Sequence, residues 1–486
     1  MILTACQTRF LELVSSGANI FLSGGAGTGK TYILRTAVAG LQAAGKNVIV
    51  CAPTGAAAFR CGGSTIHRVF NLKNGLGINE KSCTPVTHTS EVLEHADVIV
   101  IDEISMVRMD IFDAAASSIS AVSAKTGRRI QVIAAGDFYQ LPPVINDNQQ
   151  ERIRLERYYG RSIGNGFAFQ SDAWNSFHFI PVLLDQVMRQ NDRDFIENLL
   201  RIREGNVQSL SWFEKNSSDE PFRDSLYLCP TNARAASVNR ISLQRLPGES
   251  TVYRALITNR VAESEKIVPD QIELKKGARI IAAVNDPYQQ YFNGSAGIVT
   301  AMGQNEIRVH FDHMSAESVI PYYTWHINEY ILGSDGQIIC REAGSYSQLP
   351  VKLAYAVTIH RSQGATYDKV TLDPACWECG QLYVALSRVK SIDRLYLTSL
   401  IKPGYLKVDH NVTAYYQSLA FDNTIELRTS RRHTAAGRPS RYGTKTKTIR
   451  VPEELADTLK KALDEWALDP ENRTVICITS QNTNGL

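Results

Sequence analysis

The sequence predicts an α/β protein built on parallel sheets, and three observations carry that prediction. Short apolar runs recur along the first half: residues 19–23 (NIFLS), 98–101 (VIVI) and 131–134 (QVIA). Each has the length and composition of a buried strand and ends in glycine or acidic residues, and a helical stretch such as 32–45 (YILRTAVAGLQAAG) separates the first from the next. Strands alternating with helices, with chemistry at the strand ends, describe a parallel sheet with its site at the switch point. At 486 residues the chain is too long for one compact core, so two to four domains are expected.

The first strand runs directly into GGAGTGKT, residues 24–31. This is the full GxxxxGK[ST] spacing between a strand and a helix, the context that distinguishes a phosphate-binding loop from a chance glycine-rich turn. Amides of Gly25, Ala26, Gly27, Thr28 and Gly29 can curl around phosphate oxygens, and the helix N-terminus adds a favourable dipole. Lys30 would reach the β- and γ-phosphates of ATP, and Thr31 would hold Mg²⁺. The second strand ends in Asp102-Glu103, some seventy residues on. Alone, an acidic pair there is a solvated strand end. Beside this loop, Asp102 is expected to anchor Mg²⁺ through water and Glu103 to polarise the attacking water. The third strand leads into GDFYQLPPV, residues 136–144, where Gln140 in a loop stiffened by Pro142 and Pro143 is a candidate γ-phosphate sensor.

Hydrophobic residues make up 44% and charged residues 21%, ordinary for a soluble globular protein, and a net charge of +3 gives no argument for a nucleic-acid partner. Nine scattered cysteines and no basic-then-apolar leader suggest a reducing, cytoplasmic setting. No apolar stretch approaches bilayer length, so no membrane partner is expected. Cys376 and Cys379 form a CxxC with no second pair or nearby histidine, and read as two ordinary thiols.

The segments between these motifs are more discriminating. CAPTGAAA (51–58), GGSTIHRVF (62–70), IDEISM (101–106) and GDFYQLPPV follow in order. Downstream come LLDQVMRQ (183–190), LCPTNARAASVN (228–239), AYAVTIHRSQGATYDKV (354–370) and GQLYVALSRVKS (380–391). This series resembles the Pif-type helicases of superfamily 1, the 5′-to-3′ branch that includes RecD-like enzymes. The resemblance covers about residues 1 to 400. It implies two RecA-like domains, the first at 1–182 with a small insertion at about 71–91. The second would span 183–427, with a β-rich insertion at about 279–346 similar to a Src-homology-3-like barrel. It further implies ATP-dependent translocation on single-stranded DNA and unwinding of tailed or structured duplex by a monomer, in replication, repair, recombination or telomere maintenance.

By the same resemblance Gln7 reads adenine, with an exposed helix residue as the alternative. Arg189 and Arg388 reach the γ-phosphate, and Gln363 and Gly364 belong to the nucleotide site. Pro53, Thr54, Gly55, Thr65, His67, Thr231, Asn232, Thr358 and His360 line the single-strand channel. Phe70, Phe138 and Tyr139 are candidates for base stacking, worth about 1–3 kcal/mol per base, with core packing the alternative for each. Two segments depart from the family pattern: 106–131, which matches its signature loosely, and DPACWEC (373–379), where a simpler loop is expected.

Beyond residue 427 the composition shifts. From Arg428 to Arg450 there are eight lysines and arginines and no acidic residue. KTKTIRVP followed by EELADTLKKALDEW then resembles the start of a ribbon-helix-helix DNA-binding unit, with a small packing element as the alternative. Two other activities remain open: a single-strand translocase that remodels nucleoprotein, and a nucleotide-switched DNA-binding regulator.

Overall fold

The computed structural model describes residues 3–72, 76–79, 84–145, 149–190, 192–259 and 261–419. The basic segment and the strand-then-helix unit after it lie outside the described residues.

The first lobe opens with α1 (Ala5–Ser15), started by a capping box in which Thr4 Oγ1 accepts from the Gln7 amide and Gln7 Oε1 accepts from the Thr4 amide. There follow β1 (Ile20–Gly24), α2 (Lys30–Ala43), β2 (Val48–Ala52), α3 (Gly55–Cys61), β3 (Ser64–Thr65) and α4 (Ile66–Val69). An antiparallel pair of two-residue strands, β4 (Ile78–Asn79) and β5 (Thr84–Pro85), stands where the small insertion is expected. Then come α5 (Glu91–His95), β6 (Val98–Ile101), α6 (Met109–Thr126), β7 (Gln131–Gly136), α7 (Gln149–Tyr159) and β8 (Ile180–Leu184). Six strands form one parallel sheet in the order β3-β2-β6-β7-β1-β8. Its strands are apolar on both faces because both are covered, one by α1 and α2 and the other by α6 and an aromatic cluster.

The second lobe begins with α8 (Arg193–Arg203) and α9 (Leu210–Asn216), then β9 (Leu226–Cys229) and α10 (Asn232–Gln244). An antiparallel region follows: β10 (Thr251–Arg254), β11 (Leu256–Thr258), β12 (Gln271–Leu274), β13 (Arg279–Ala282), β14 (Ala296–Met302), β15 (Glu306–Phe311), β16 (Glu317–Pro321), β17 (Tyr323–Leu332), β18 (Ile338–Gln348) and β19 (Val351–Leu353). The chain then completes a parallel sheet with β20 (Ala356–Thr358), β21 (Val370–Leu372), α11 (Gln381–Leu386) and β22 (Leu395–Leu397), in the order β20-β9-β21-β22. Two parallel α/β sheets thus carry the molecule, as expected of RecA-like domains.

Three boundaries differ from the sequence reading. β8 runs through residue 182 to Leu184, because Leu183 and Leu184 pair with Ser23 and Gly24 of β1. The antiparallel region starts near residue 251 rather than 279, since Tyr253, Ile272 and Leu274 share a core with Trp325 and Tyr346. The last helix among the described residues, α12 (His410–Ser418), leaves the second lobe and packs Val412 and Tyr416 into the first core. Tyr416 and Ser23 share a hydroxyl hydrogen bond of 2.5 Å, and the Trp174 indole donates to Tyr415 Oη at 3.0 Å. The first lobe is therefore completed by residues that follow the second. The β17–β18 hairpin also reaches back: Tyr330 Oη accepts from the Val50 amide at 3.0 Å and donates to the Val50 carbonyl at 3.1 Å.

Candidate nucleotide and nucleic-acid site

The loop between β1 and α2 needs glycine at Gly27 and Gly29, whose φ of +81° and +84° lie in the left-handed region. A Cβ on Gly27 would also stand 2.7 Å from Cβ of Arg189, so the loop is packed against the segment after β8. The Lys30 ammonium donates to the carbonyls of Gly24 at 2.7 Å and Gly25 at 3.0 Å. Burial pulls its pKa below the ordinary lysine value, opposed mainly by the carboxylates of Asp137 and Glu103. Thr31 is exposed at the start of α2. Gln7 is buried rather than exposed, and its side-chain amide lies 3.6 Å from where a Cβ on Gly29 would stand.

At the end of β6, burial and then the neighbouring Glu103 raise Asp102 to about 6. Glu103 sits at a φ of +53°, a conformation that costs a non-glycine residue on the order of 1 kcal/mol, and its amide donates to Asp102 Oδ1 at 2.8 Å. That backbone turn aims the Glu103 carboxylate at the second lobe. It lies 3.6 Å from Arg60 and 3.4 Å from Gln363 Nε2, which is equally distant from Gln140 Oε1. Arg60 donates to the Gln363 carbonyl at 2.9 Å, and a side chain at Gly364 would collide with the Arg60 guanidinium.

Arg189 and Arg388 meet beside this group. Arg388 is fully buried and donates to the carbonyls of Val384 (2.7 Å), Ser362 (3.0 Å) and Ala365 (3.1 Å). Arg189 donates to the Ser387 carbonyl at 3.5 Å. Burial lowers both, and the neighbouring Arg189 helps bring Arg388 down to about 9. Among the described residues neither forms an ion pair with a carboxylate. Two crowded guanidiniums with only neutral acceptors favour an incoming anion.

The proposed strand-contacting threonines have a shared local role. Thr54, Thr65 and Thr231 are the N-caps of α3, α4 and α10, each hydroxyl accepting a helix amide at 3.3 Å. Pro53 and Gly55 flank the first cap, and Gly55 is pressed against the backbone of Glu265. Asn232 is exposed at the start of α10. Thr358 is buried, its hydroxyl accepting from the Arg361 amide at 3.4 Å. His360 stands 2.6 Å from Glu378, which brings DPACWEC to the channel residues. Burial and Arg108 lower His67.

The stacking candidates are corrected. Phe70 and Phe138 are buried in the first core, Phe138 with its ring 5.2 Å from Phe21 and 4.9 Å from Phe169. Exposing a buried phenylalanine costs about 1.5–3 kcal/mol before any cavity term. Base stacking returns about 1–3 kcal/mol, so neither ring gains by leaving. Tyr139 is buried under the Arg203 guanidinium, 4.3 Å from its ring centroid. Exposed aromatic side chains near channel residues include Phe59, 41% exposed, and Trp377, 54% exposed.

A cleft of about 840 Å³ between the lobes is lined by Asn232, Thr358, Arg60, Arg240, Lys352 and Arg361, among others. Burial, then Arg361, lowers Lys352 to about 8. Arg361 lies inside the segment 354–370 and so had a signal in its motif, whereas Arg60 falls between the segments 51–58 and 62–70. Arg240 and Lys352 had none, because only the fold brings them to the cleft.

The fold and this site define a P-loop nucleotide-binding protein with two RecA-like sheets. Residues 3–211 match the model of the PIF1-like helicase family. The ATP-dependent DNA helicase Pif1 of Campylobacter jejuni is 30% identical over 85% of this chain and 97% of its own. The Xenopus laevis helicase PIF1 is 31% identical, and this chain spans 65% of its length. Among solved structures, Pif1 from Bacteroides sp. in complex with ADP-AlF4 is 31% identical over 86% of this chain and 97% of its own, with a TM-score of 0.73. A Bacteroides Pif1 complex with ADP-AlF3 and single-stranded DNA has a TM-score of 0.62 at 32% identity. The chain belongs to the PIF1-like helicase family.

Proposed function

We propose that this chain is an ATP-dependent DNA helicase that moves 5′-to-3′ along single-stranded DNA as a monomer in a cytoplasmic setting and unwinds tailed or structured duplex. The observation that carries the reading is the meeting of Lys30, Glu103 and Gln140 of one lobe with Arg189, Gln363 and Arg388 around one loop. In this reading Lys30 binds the β- and γ-phosphates, Glu103 orients water, Gln140 senses the γ-phosphate, and the two arginines stabilise charge on the transferring group. Gln7 faces adenine. Thr31 and Asp102 supply hard oxygen donors that suit Mg²⁺, which keeps several waters and takes phosphate oxygens, so it needs no dedicated cage. Mg²⁺ would neutralise charge on the phosphates. No helix among the described residues is long and apolar enough to cross a membrane.

The cleft supplies the track. Its cations meet phosphates, while helix-cap hydroxyls, of which Thr231 is exposed, offer neutral contacts that are readily broken in each cycle. The complexes of Bacteroides relatives with nucleotide analogue and single-stranded DNA support both halves of the reading. The test is ATP-driven unwinding of duplexes bearing either a 5′ or a 3′ single-stranded tail. Unwinding of the 5′-tailed substrate alone is expected. DNA-stimulated hydrolysis without strand separation would replace the helicase reading with that of a translocase.

A further inference from the structure

The loop carrying Gln140 belongs to the first lobe, yet its anchor comes from the second. Arg203, the last residue of α8, donates from Nη2 to Asp137 Oδ1 at 2.7 Å and from Nε to both carboxylate oxygens at 3.1 and 3.2 Å. Both partners are buried. The guanidinium lies 4.3 Å from the Tyr139 ring centroid and 5.2 Å from that of Tyr416, so aromatic faces hold it in place. Asp137 in turn accepts from the Tyr139 amide at 3.3 Å and from Gln140 Nε2 at 3.4 Å. From the other side, a side chain at Gly380 would run into the carbonyls of Tyr139 and Gln140. The Gln140 loop is therefore held between α8 and the start of α11.

Asp137 has a second relation to the site. Its carboxylate is the largest favourable charge acting on Lys30, while Arg203 opposes Lys30. Deprived of Arg203, Asp137 would be a buried carboxylate whose available cation is the lysine that phosphate needs.

We propose that Arg203 is a positioning residue for nucleotide hydrolysis: it fixes Asp137, and through it Gln140, and keeps the Asp137 carboxylate from capturing Lys30. The proposal rests on the ATP-hydrolysis reading above. It makes the first helix of the second lobe part of the machinery that senses the γ-phosphate. A chain of contacts then runs from Arg203 through Asp137, Gln140 and Gln363 to Glu103, crossing between the lobes three times.

The test compares Arg203→Gln, Asp137→Asn and the double variant in the full chain, with kcat and KM for ATP under saturating single-stranded DNA and with melting curves. Arg203→Gln should raise KM and lower kcat, each by about tenfold or more, since misplacing a sensor by an ångström costs about a hundredfold. It should also melt earlier, because a buried charge loses its partner. The double variant has no unpaired charge. Its melting temperature and KM should return toward the parent, while kcat stays about tenfold down because Gln140 lacks its carboxylate anchor. Recovery of kcat together with stability would show a merely structural ion pair and overturn the proposal. If the double variant folds poorly, Arg203→Lys decides: it keeps the charge but not the fork, so a parental kcat at parental stability overturns the proposal and a reduced kcat supports it. Should the parent hydrolyse no ATP, the functional reading itself fails. ATP binding by calorimetry then judges the Lys30 effect, with weaker binding in Arg203→Gln and restored binding in the double variant expected, and equal binding in all three contrary to it.

Discussion

Lys30 and Arg388 differ in what surrounds them, and that difference predicts how their variants fail. Lys30 donates to two loop carbonyls, so Lys30→Ala should leave the fold nearly as stable while abolishing DNA-stimulated hydrolysis, checked by a melting curve beside a phosphate-release assay. Arg388→Ala should lower turnover by about 10³–10⁵, by analogy with other arginines acting on a transferring phosphoryl group, with a much smaller effect on ATP binding. Near-normal hydrolysis by either folded variant would refute its assignment. Lys352 offers a pH test. Its pKa of about 8 lies below the ordinary 10.5, so the free protein loses this charge as pH rises through 8. Phosphate favours the charged form, so affinity for single-stranded DNA should fall from pH 8 upward. Lys352→Met should flatten the fall in an anisotropy titration from pH 7 to 9.5, and parallel profiles would exclude a phosphate contact. Much of the nucleotide site was legible because phosphate chemistry requires fixed residue types at fixed spacing around Lys30 and Asp102. Phe138 was not, because an aromatic within a motif looks the same whether it faces a base or a core.

Elements were legible where burial on both faces makes a continuous apolar run. β6 matches residues 98–101 for that reason, and β7 only extends its run into Gly136. β10 and β12 were missed as part of the antiparallel region because each is four residues long, buries only alternate side chains, and pairs with the other rather than with a strand inside 279–346. The three threonine caps could be read as channel residues but not as caps without helix boundaries. Their double role yields a prediction. Thr231→Ala should cost about 1 kcal/mol of stability from lost capping, whereas Thr231→Ser should cost little. If the hydroxyl also contacts DNA, the serine variant keeps single-strand affinity and the alanine variant loses more than its melting shift explains. Equal affinities in the two would leave Thr231 as a cap alone.

At the scale of the whole molecule, the described chain completes the first core with α12 before the basic segment begins. Removal of residues from 427 onward should therefore spare saturated ATPase and the melting temperature. The eight cations between Arg428 and Arg450 should release counterions on binding phosphates, so the truncated protein should show a shallower salt dependence of DNA affinity. An unchanged salt slope, or a joint loss of stability and ATPase, would assign that segment to packing. The order of lobes was legible in the motifs, but the return of α12 was not: Val412, Tyr415 and Tyr416 lie over two hundred residues from the core they complete, and no motif marks them. That return has a mechanical consequence. A chain that passes once between two bodies leaves them a ball joint, free to swivel in any direction. Here it passes between β8 and α8 and again between β22 and α12. Two crossings leave the lobes fewer ways to swing apart than one would. Fewer ways to open and close suit a device that steps along a linear track.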